Sequence, residues 1–296
     1  MEPRVSSIRE LARAKINLTL RVLGRQADGF HALESLVAFA ETHDVVELDP
    51  GDGLSLDVEG PFGGGLDGDN LVLRAAEAAT ALNNAVALGR FCLVKHLPVA
   101  AGLGGGSADA AAALRLIARA NPGVLPDDAL ASIAARLGSD VAVCLASRPA
   151  LIIGRGEIVR PVRGFPSCAV VLANPGVPLA TASIYGALSA PSRATDAKDA
   201  VEAPDFRGDF AALTAYVLPR GNDLEGTAAR LSPLINEVLA ALSGLPGVRV
   251  ARLSGSGPTC FALFATEDQA RRAVDALAGQ HPDWWVVATR LGASVS

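Results

Sequence analysis

The chain has 296 residues, half of them hydrophobic and 19% charged, with a net charge of −5. That length exceeds one ordinary core and suits two domains, and so apolar a composition excludes a disordered chain. The acidic balance argues against nucleic acid as a partner, because a phosphate backbone calls for a basic face.

In chain order, residues 11–24 (LARAKINLTLRVLG) alternate and predict a strand with one polar face. Short strands are expected at 45–49 and 54–60, and the turn signal GGGLDGDN leads into a helix at 71–82. Strand 90–97 runs into a glycine loop, from which an alanine-rich helix, 108–120, departs. A second helix, 127–138, is expected to stop at Gly138 as a left-handed cap. The second half opens with strand 168–174 and a helix from about Thr181; residues 191–210 are polar, aperiodic and read as a mobile insertion. Helix 232–245, strands 248–253 and 259–265, helix 267–279 and strand 284–291 complete the chain. This order suggests a split βαβ, ferredoxin-like layer. The expected fold is α+β, with domains at 1–165 and 166–296.

The four cysteines (Cys92, Cys144, Cys168, Cys260) are far apart in apolar surroundings and form no CxxC, and the four histidines show no ligand spacing. Buried thiols in a reducing compartment are the expectation, with no structural metal. The first fifteen residues mix charges throughout and hold no apolar run of leader length. The longest uncharged run, Gly164 to Ser192, is broken by prolines. A cytoplasmic protein is expected.

The segment Pro98-Val99-Ala100-Ala101-Gly102-Leu103-Gly104-Gly105-Gly106-Ser107-Ala108 joins a strand to a helix. Four residues without Cβ let successive N–H groups face one concavity, and the helix start favours an anion there. Ser107 adds a hydroxyl at the expected cap position. A plain flexible turn before a capped helix is the bland alternative, but four glycines within five residues favour phosphate. The loop has no GK[ST] lysine, so it is not the Walker type. Nor does it carry the acidic residue of a dinucleotide fold.

The run LPVAAGLGGGSADAAAAL resembles the second signature of the GHMP kinase superfamily. The stretch 12–36 (ARAKINLTLRVLGRQADGFHALESL) is similar to the start of the superfamily branch that acts on a cytidine diphosphate-linked methylerythritol. LGSDVAVCL, NPGVPLATASIY, GNDLE and LSGSGPTCFALF match that branch in order, so the resemblance spans nearly the whole chain. It implies an N-terminal ribosomal-protein-S5-like domain and a C-terminal ferredoxin-like domain. It also implies ATP with Mg²⁺, a small-molecule acceptor phosphorylated on its 2-hydroxyl in the non-mevalonate isoprenoid route, no membrane partner, and a monomer or homodimer. A homoserine- or mevalonate-type kinase and a non-catalytic nucleotide-binding module remain alternatives.

Lys15 and Asn17 are two apart on one strand and therefore share a face. Lysine is rare here, with only Lys15, Lys95 and Lys198 among 26 basic residues, a mild sign that a compact ammonium is wanted. Asp140 alone reads as a helix-capping aspartate; the resemblance makes it the catalytic base and Lys15 its cation. The chain departs from the family pattern at Ser139 and Ala142, which stand where alanine and proline are usual, and at Leu253, which stands for methionine. The resemblance also assigns Phe30, His31 and Tyr185 to cytosine, with Phe30 lacking a tyrosine hydroxyl, and Asn17 and Thr181 to the substrate. It gives Asn70 and Lys95 to the adenosine side, where helix cap and strand-end charge are the plainer readings.

Overall fold

The computed structural model describes residues 7–26, 29–66, 69–188 and 201–292. Asp28 of the predicted DGFH turn and residues 191–200 of the predicted insertion lie outside them. In chain order the elements are β1 (Ile8–Asn17), β2 (Arg21–Arg25), β3 (His31–Pro50), β4 (Leu54–Glu59), α1 (Leu71–Leu82), β5 (Gly89–Val94), α2 (Gly105–Ala120), α3 (Asp127–Leu137), α4 (Ser139–Ala146), β6 (Ala150–Gly154) and β7 (Ile158–Pro161). There follow β8 (Cys168–Asn174), α5 (Thr181–Ala187), α6 (Phe210–Val217), α7 (Glu225–Leu231), α8 (Leu234–Ser243), β9 (Val250–Leu253), β10 (Cys260–Phe264), α9 (Glu267–Gln280) and β11 (Trp285–Leu291).

The chain divides into two compact units. The first holds residues up to Ala14, Thr42–Val99 and Gly104–Ser147. In it, β4 lies parallel to β5, and β5 pairs antiparallel with the second half of β3. α1 and α2 pack together, with α3 against α1 and α4 against α2. Alanine makes α2 both a strong helix former and thin enough to bury nearly all round, from Ala108 to Ile117. Arg115 ties the helix down, donating to Leu11 O at 3.1 Å and Cys144 O at 3.0 Å.

The second unit holds Lys15–Glu41, Ala100–Leu103 and the chain from Arg148 onward. There β11, β8, β10 and β9 form an antiparallel sheet in that order, the ferredoxin-like arrangement expected from the βαβ order. Every residue of β8 and β10 is buried, so these central strands read as unbroken apolar runs. α9 carries a reciprocal capping box between Thr266 and Gln269. A meander of β2, the first half of β3, β6 and β7 completes the unit.

Four expectations are corrected. The strand 11–24 is two strands, broken at Leu18–Leu20 because Leu18 N–H donates to Leu36 O (2.8 Å) and Leu20 N–H to Gly221 O (3.0 Å). The strand at 45–49 is only the tail of the 20-residue β3. Gly138 ends α3 in an extended conformation (φ 161°, ψ 154°), not the left-handed one, because α4 starts at the next residue and the chain must turn rather than cap. Residues 201–210, read as part of a mobile insertion, are anchored by a bridge from Arg163 to Asp205 and by the buried ring of Phe206, and Asp209 caps α6. No helix among the described residues is long and apolar enough to cross a membrane.

Candidate active site

The glycine loop is built differently along its length. Ala100 (φ 52°) and Gly102 (φ 72°) take left-handed conformations. Within the second unit three successive carbonyls are engaged. Ala101 O accepts from Thr259 N–H (3.2 Å), Gly102 O from the Ser254 hydroxyl (3.0 Å), and Leu103 O from Lys15 N–H (2.8 Å). Gly102 admits no side chain, since a Cβ there would lie 2.4 Å from Ser254 O. In the first unit, Gly104 (φ 62°) is the N-cap of α2 and supplies no side chain to its amides. The N–H groups of Gly105, Gly106 and Ser107 therefore head a 16-residue helix with no intrahelical acceptor. Ser107 is not the cap expected from sequence: the helix begins three residues before 108, placing its hydroxyl in the first turn.

The turn after β9 is the brace for Gly102. Ser254 and Thr259 close it (2.9 Å), and buried Asn222 donates to both Leu253 O (2.9 Å) and Gly255 O (2.8 Å). Asn17 N–H reaches the Ser254 hydroxyl at 3.2 Å, while its side chain accepts from Lys15 Nζ at 3.1 Å and donates to Ser35 Oγ at 2.8 Å. Lys15 and Asn17 are thus brought together as expected, both buried. Thr181 is the first residue of α5 rather than its cap, and its hydroxyl lies 2.8 Å from that of Ser256.

At the far end of β3, the His31 and Tyr185 rings are 5.1 Å apart and tilted by 33°. Phe30, at the tip of the β2–β3 hairpin, is 59% exposed, so it is no core aromatic. Partial burial, and then the charge of Arg25, lower the His31 pKa. The ring is accordingly neutral near pH 7, with one nitrogen to donate and one to accept.

In the first unit, Asp140 occupies the first turn of α4, half-buried, where the helix dipole favours a carboxylate. Asn70 caps α1, its side-chain oxygen accepting from Val72 N–H at 2.9 Å. Lys95 is 3% exposed and held by two carboxylates, Asp44 and, at 2.7 Å, Asp109. Asp44 also accepts from the N–H groups of His96 (2.5 Å) and Leu97 (2.8 Å). The ammonium lies under the loop, 3.3 Å from where a Cβ on Gly105 would be. Burial works against the Lys95 charge, but Asp109 and Asp44 outweigh it and raise its pKa. Burial pushes Asp109 up to about 7, with the Asp44 charge adding to it and Lys95 opposing. Its Oδ1 has no hydrogen-bond partner.

Sequence reasoning missed Asp44, Asp109 and Asn222, whereas the small residues of LSGSGPT (253–259), Ser254 among them, read as a buttress of the loop. Asp109 did leave a signal, a lone charge inside an alanine run. Asp44 did not, because its partners lie 51 to 53 residues downstream.

The chain is similar to known proteins over nearly its whole length. Residues 70–148 match the GHMP kinases N-terminal domain and residues 197–283 the GHMP kinases C-terminal family. A 4-diphosphocytidyl-2-C-methyl-D-erythritol kinase of Rhodopseudomonas palustris is 48% identical over 292 residues, covering 96% of this chain and 97% of the relative. One of Parvibaculum lavamentivorans is 47% identical over 288 residues, covering 96% and 98%. A crystal structure of a 4-(cytidine 5'-diphospho)-2C-methyl-D-erythritol kinase superposes with a TM-score of 0.79 at 32% identity, covering 97% of this chain and all of that one. With both family models matched and relatives at 47–48% identity over nearly the full length, the chain belongs to the 4-diphosphocytidyl-2-C-methyl-D-erythritol kinase family of the GHMP kinases.

Proposed function

We propose that this chain transfers the terminal phosphoryl group of ATP to the 2-hydroxyl of 4-diphosphocytidyl-2-C-methyl-D-erythritol, in the cytoplasmic non-mevalonate route to isoprenoid precursors. The observation that carries the reading is the loop. The carbonyls of Ala101, Gly102 and Leu103 are bound away, and three N–H groups at the start of α2 have no intrahelical acceptor. Such an array fits a triphosphate and needs no side-chain charge. Magnesium, bound with ATP, would offset the charge of the phosphates.

Phosphoryl transfer asks for orientation and charge neutralisation more than covalent chemistry. Asp140 takes the role of accepting the hydrogen bond, and then the proton, of the acceptor hydroxyl. Lys15, fixed by Asn17, offsets negative charge around the reacting oxygens. Phe30 and Tyr185 give faces to the cytosine, and neutral His31 can read an edge that both donates and accepts. Thr181 serves the substrate diphosphate. Lys95, locked between Asp44 and Asp109, acts on the nucleotide by supporting the loop from beneath.

The test is ATP consumption with the cytidine substrate by wild type, Asp140→Asn and Asp140→Ala. Both variants should bind Mg-ATP within a few-fold of wild type and lose on the order of 100-fold or more in kcat. Near-wild-type turnover by either removes Asp140 from the chemistry. Turnover of homoserine or mevalonate in place of the cytidine compound overturns the substrate.

A further inference from the structure

Resting on that reading, we infer that Asp44 is a positioning residue for the nucleotide, a buried clasp that holds the phosphate loop by both its ends. The loop leaves β5 at one end and enters α2 at the other, and both ends come to this one side chain. On the entry side, one carboxylate oxygen accepts from the N–H groups of His96 (2.5 Å) and Leu97 (2.8 Å). The other oxygen bonds the Lys95 ammonium, which also donates to Asp109 Oδ2 at 2.7 Å. Asp109 is the fifth residue of α2, so that bond reaches the exit side.

The main chain at Lys95 is held as well. Its N–H donates to Glu59 O (2.8 Å) and its carbonyl accepts from Phe62 N–H (3.2 Å). Gly60 (φ 90°) permits that approach, since a Cβ there would meet Lys95 O at 2.5 Å. Gly105 completes the arrangement. A Cβ on it would stand 3.3 Å from Lys95 Nζ, 3.6 Å from Asp44 Oδ2 and 3.9 Å from Leu97 Cδ1. The first residue of α2 is therefore seated on the clasp. Charge is a costly way to fill this space, because Asp44, Lys95 and Asp109 are all buried. Desolvation commonly cancels what such groups gain from one another, and apolar side chains of similar volume would hold a core as well. Apolar side chains could not fix direction. A carboxylate that bonds one loop end directly and the other through Lys95 sets their separation to within the tolerance of a hydrogen bond. A triphosphate bound by main-chain N–H groups depends on that separation, since a shift of about 1 Å breaks the bonds.

The experiment compares wild type, Asp44→Asn, Asp44→Ala and Asp109→Leu. Calorimetric binding of Mg-ATP to each full chain is paired with steady-state kinetics in which ATP and the cytidine substrate are varied in turn. Asp44→Asn keeps an oxygen for His96 and Leu97 but loses the ion pair, and should raise Kd and KM for ATP about fivefold. Asp109→Leu detaches the exit side alone and should raise both by a similar factor. Asp44→Ala frees both ends and should raise them at least about tenfold; if it does not fold, the other two variants decide. In the folded variants kcat at saturating ATP should stay within about threefold, and KM for the cytidine substrate within about twofold. A merely structural role would lower melting temperature and kcat while leaving the ATP KM unchanged, and that result overturns the inference. So does an equal rise in KM for both substrates. Wild type that binds Mg-ATP while Asp44→Asn and Asp109→Leu match its Kd sinks this inference alone. Wild type that ignores Mg-ATP sinks the function and this inference with it.

Discussion

Asp109 is the residue at which burial and charge conflict most. It ionises with a folded pKa of about 7 against an ordinary 3.8. The folded state therefore holds its proton more tightly than the unfolded chain. The resulting stability is fully present below about pH 4 and is lost as pH rises through about 7. Asp109→Asn should remove that slope. Chemical denaturation from pH 4 to 7.5 should show the variant gaining on wild type as pH rises, by on the order of 1 kcal/mol or more. Parallel curves would refute the assignment. Lys95 does not titrate in this window, since its pKa is raised from 10.5. Lys95→Met is expected to be far worse than Asp109→Asn, by about 3–5 kcal/mol in a denaturant melt, because it leaves Asp44 buried without its cation. What sequence reading lacked here was partnership. Lys95 could be singled out as a rare lysine, yet nothing near it in the chain announces Asp44, 51 residues earlier.

Among the elements, the turn after β9 decides how the phosphate loop is held. Gly102→Ala would place a methyl 2.4 Å from Ser254 O at a left-handed φ of 72°. The variant should remain folded by circular dichroism and lose at least about tenfold in Mg-ATP affinity, roughly what one lost or misplaced hydrogen bond to a charged group is worth. Asn222→Ala strips two carbonyls of one buried donor and should lower stability by about 1–3 kcal/mol. The isolated elements with clean periodicity were readable: α1 begins and ends where its pattern does, and β8 coincides with its apolar run. β3 was not, because Glu34, Ser35, Thr42, His43 and Asp44 interrupt its alternation. Several of these polar groups are satisfied only by distant partners: Ser35 donates to Thr19 O, and Asp44 accepts from His96 and Leu97. The glycine loop was legible for the same reason that α1 was, since backbone geometry there is set by local residue type. Its brace was legible as the small residues of LSGSGPT (253–259), but the Asn222 that holds that turn was not, because it comes from a separate stretch of the chain.

For the molecule as a whole, the four cysteines test how tightly the described residues are closed. Cys144, Cys168 and Cys260 are buried and Cys92 half-buried. Burial raises the Cys168 thiol to about 12 and raises that of Cys92 as well. A thiol-reactive dye at pH 8 should therefore label at most one cysteine per native chain quickly and all four after denaturation. Rapid labelling of three would contradict the packing. The ferredoxin-like layer was legible at this scale because the βαββαβ order fixes it, whereas the course of the chain between units was not. The two lysines proposed to serve the reaction share one further property: positions 15 and 95 are each only 3% accessible. Succinimidyl esters used to biotinylate or immobilise the native protein should leave both amines untouched. A preparation captured in that way should keep the ammonium proposed for the reacting centre and the one proposed to support the loop.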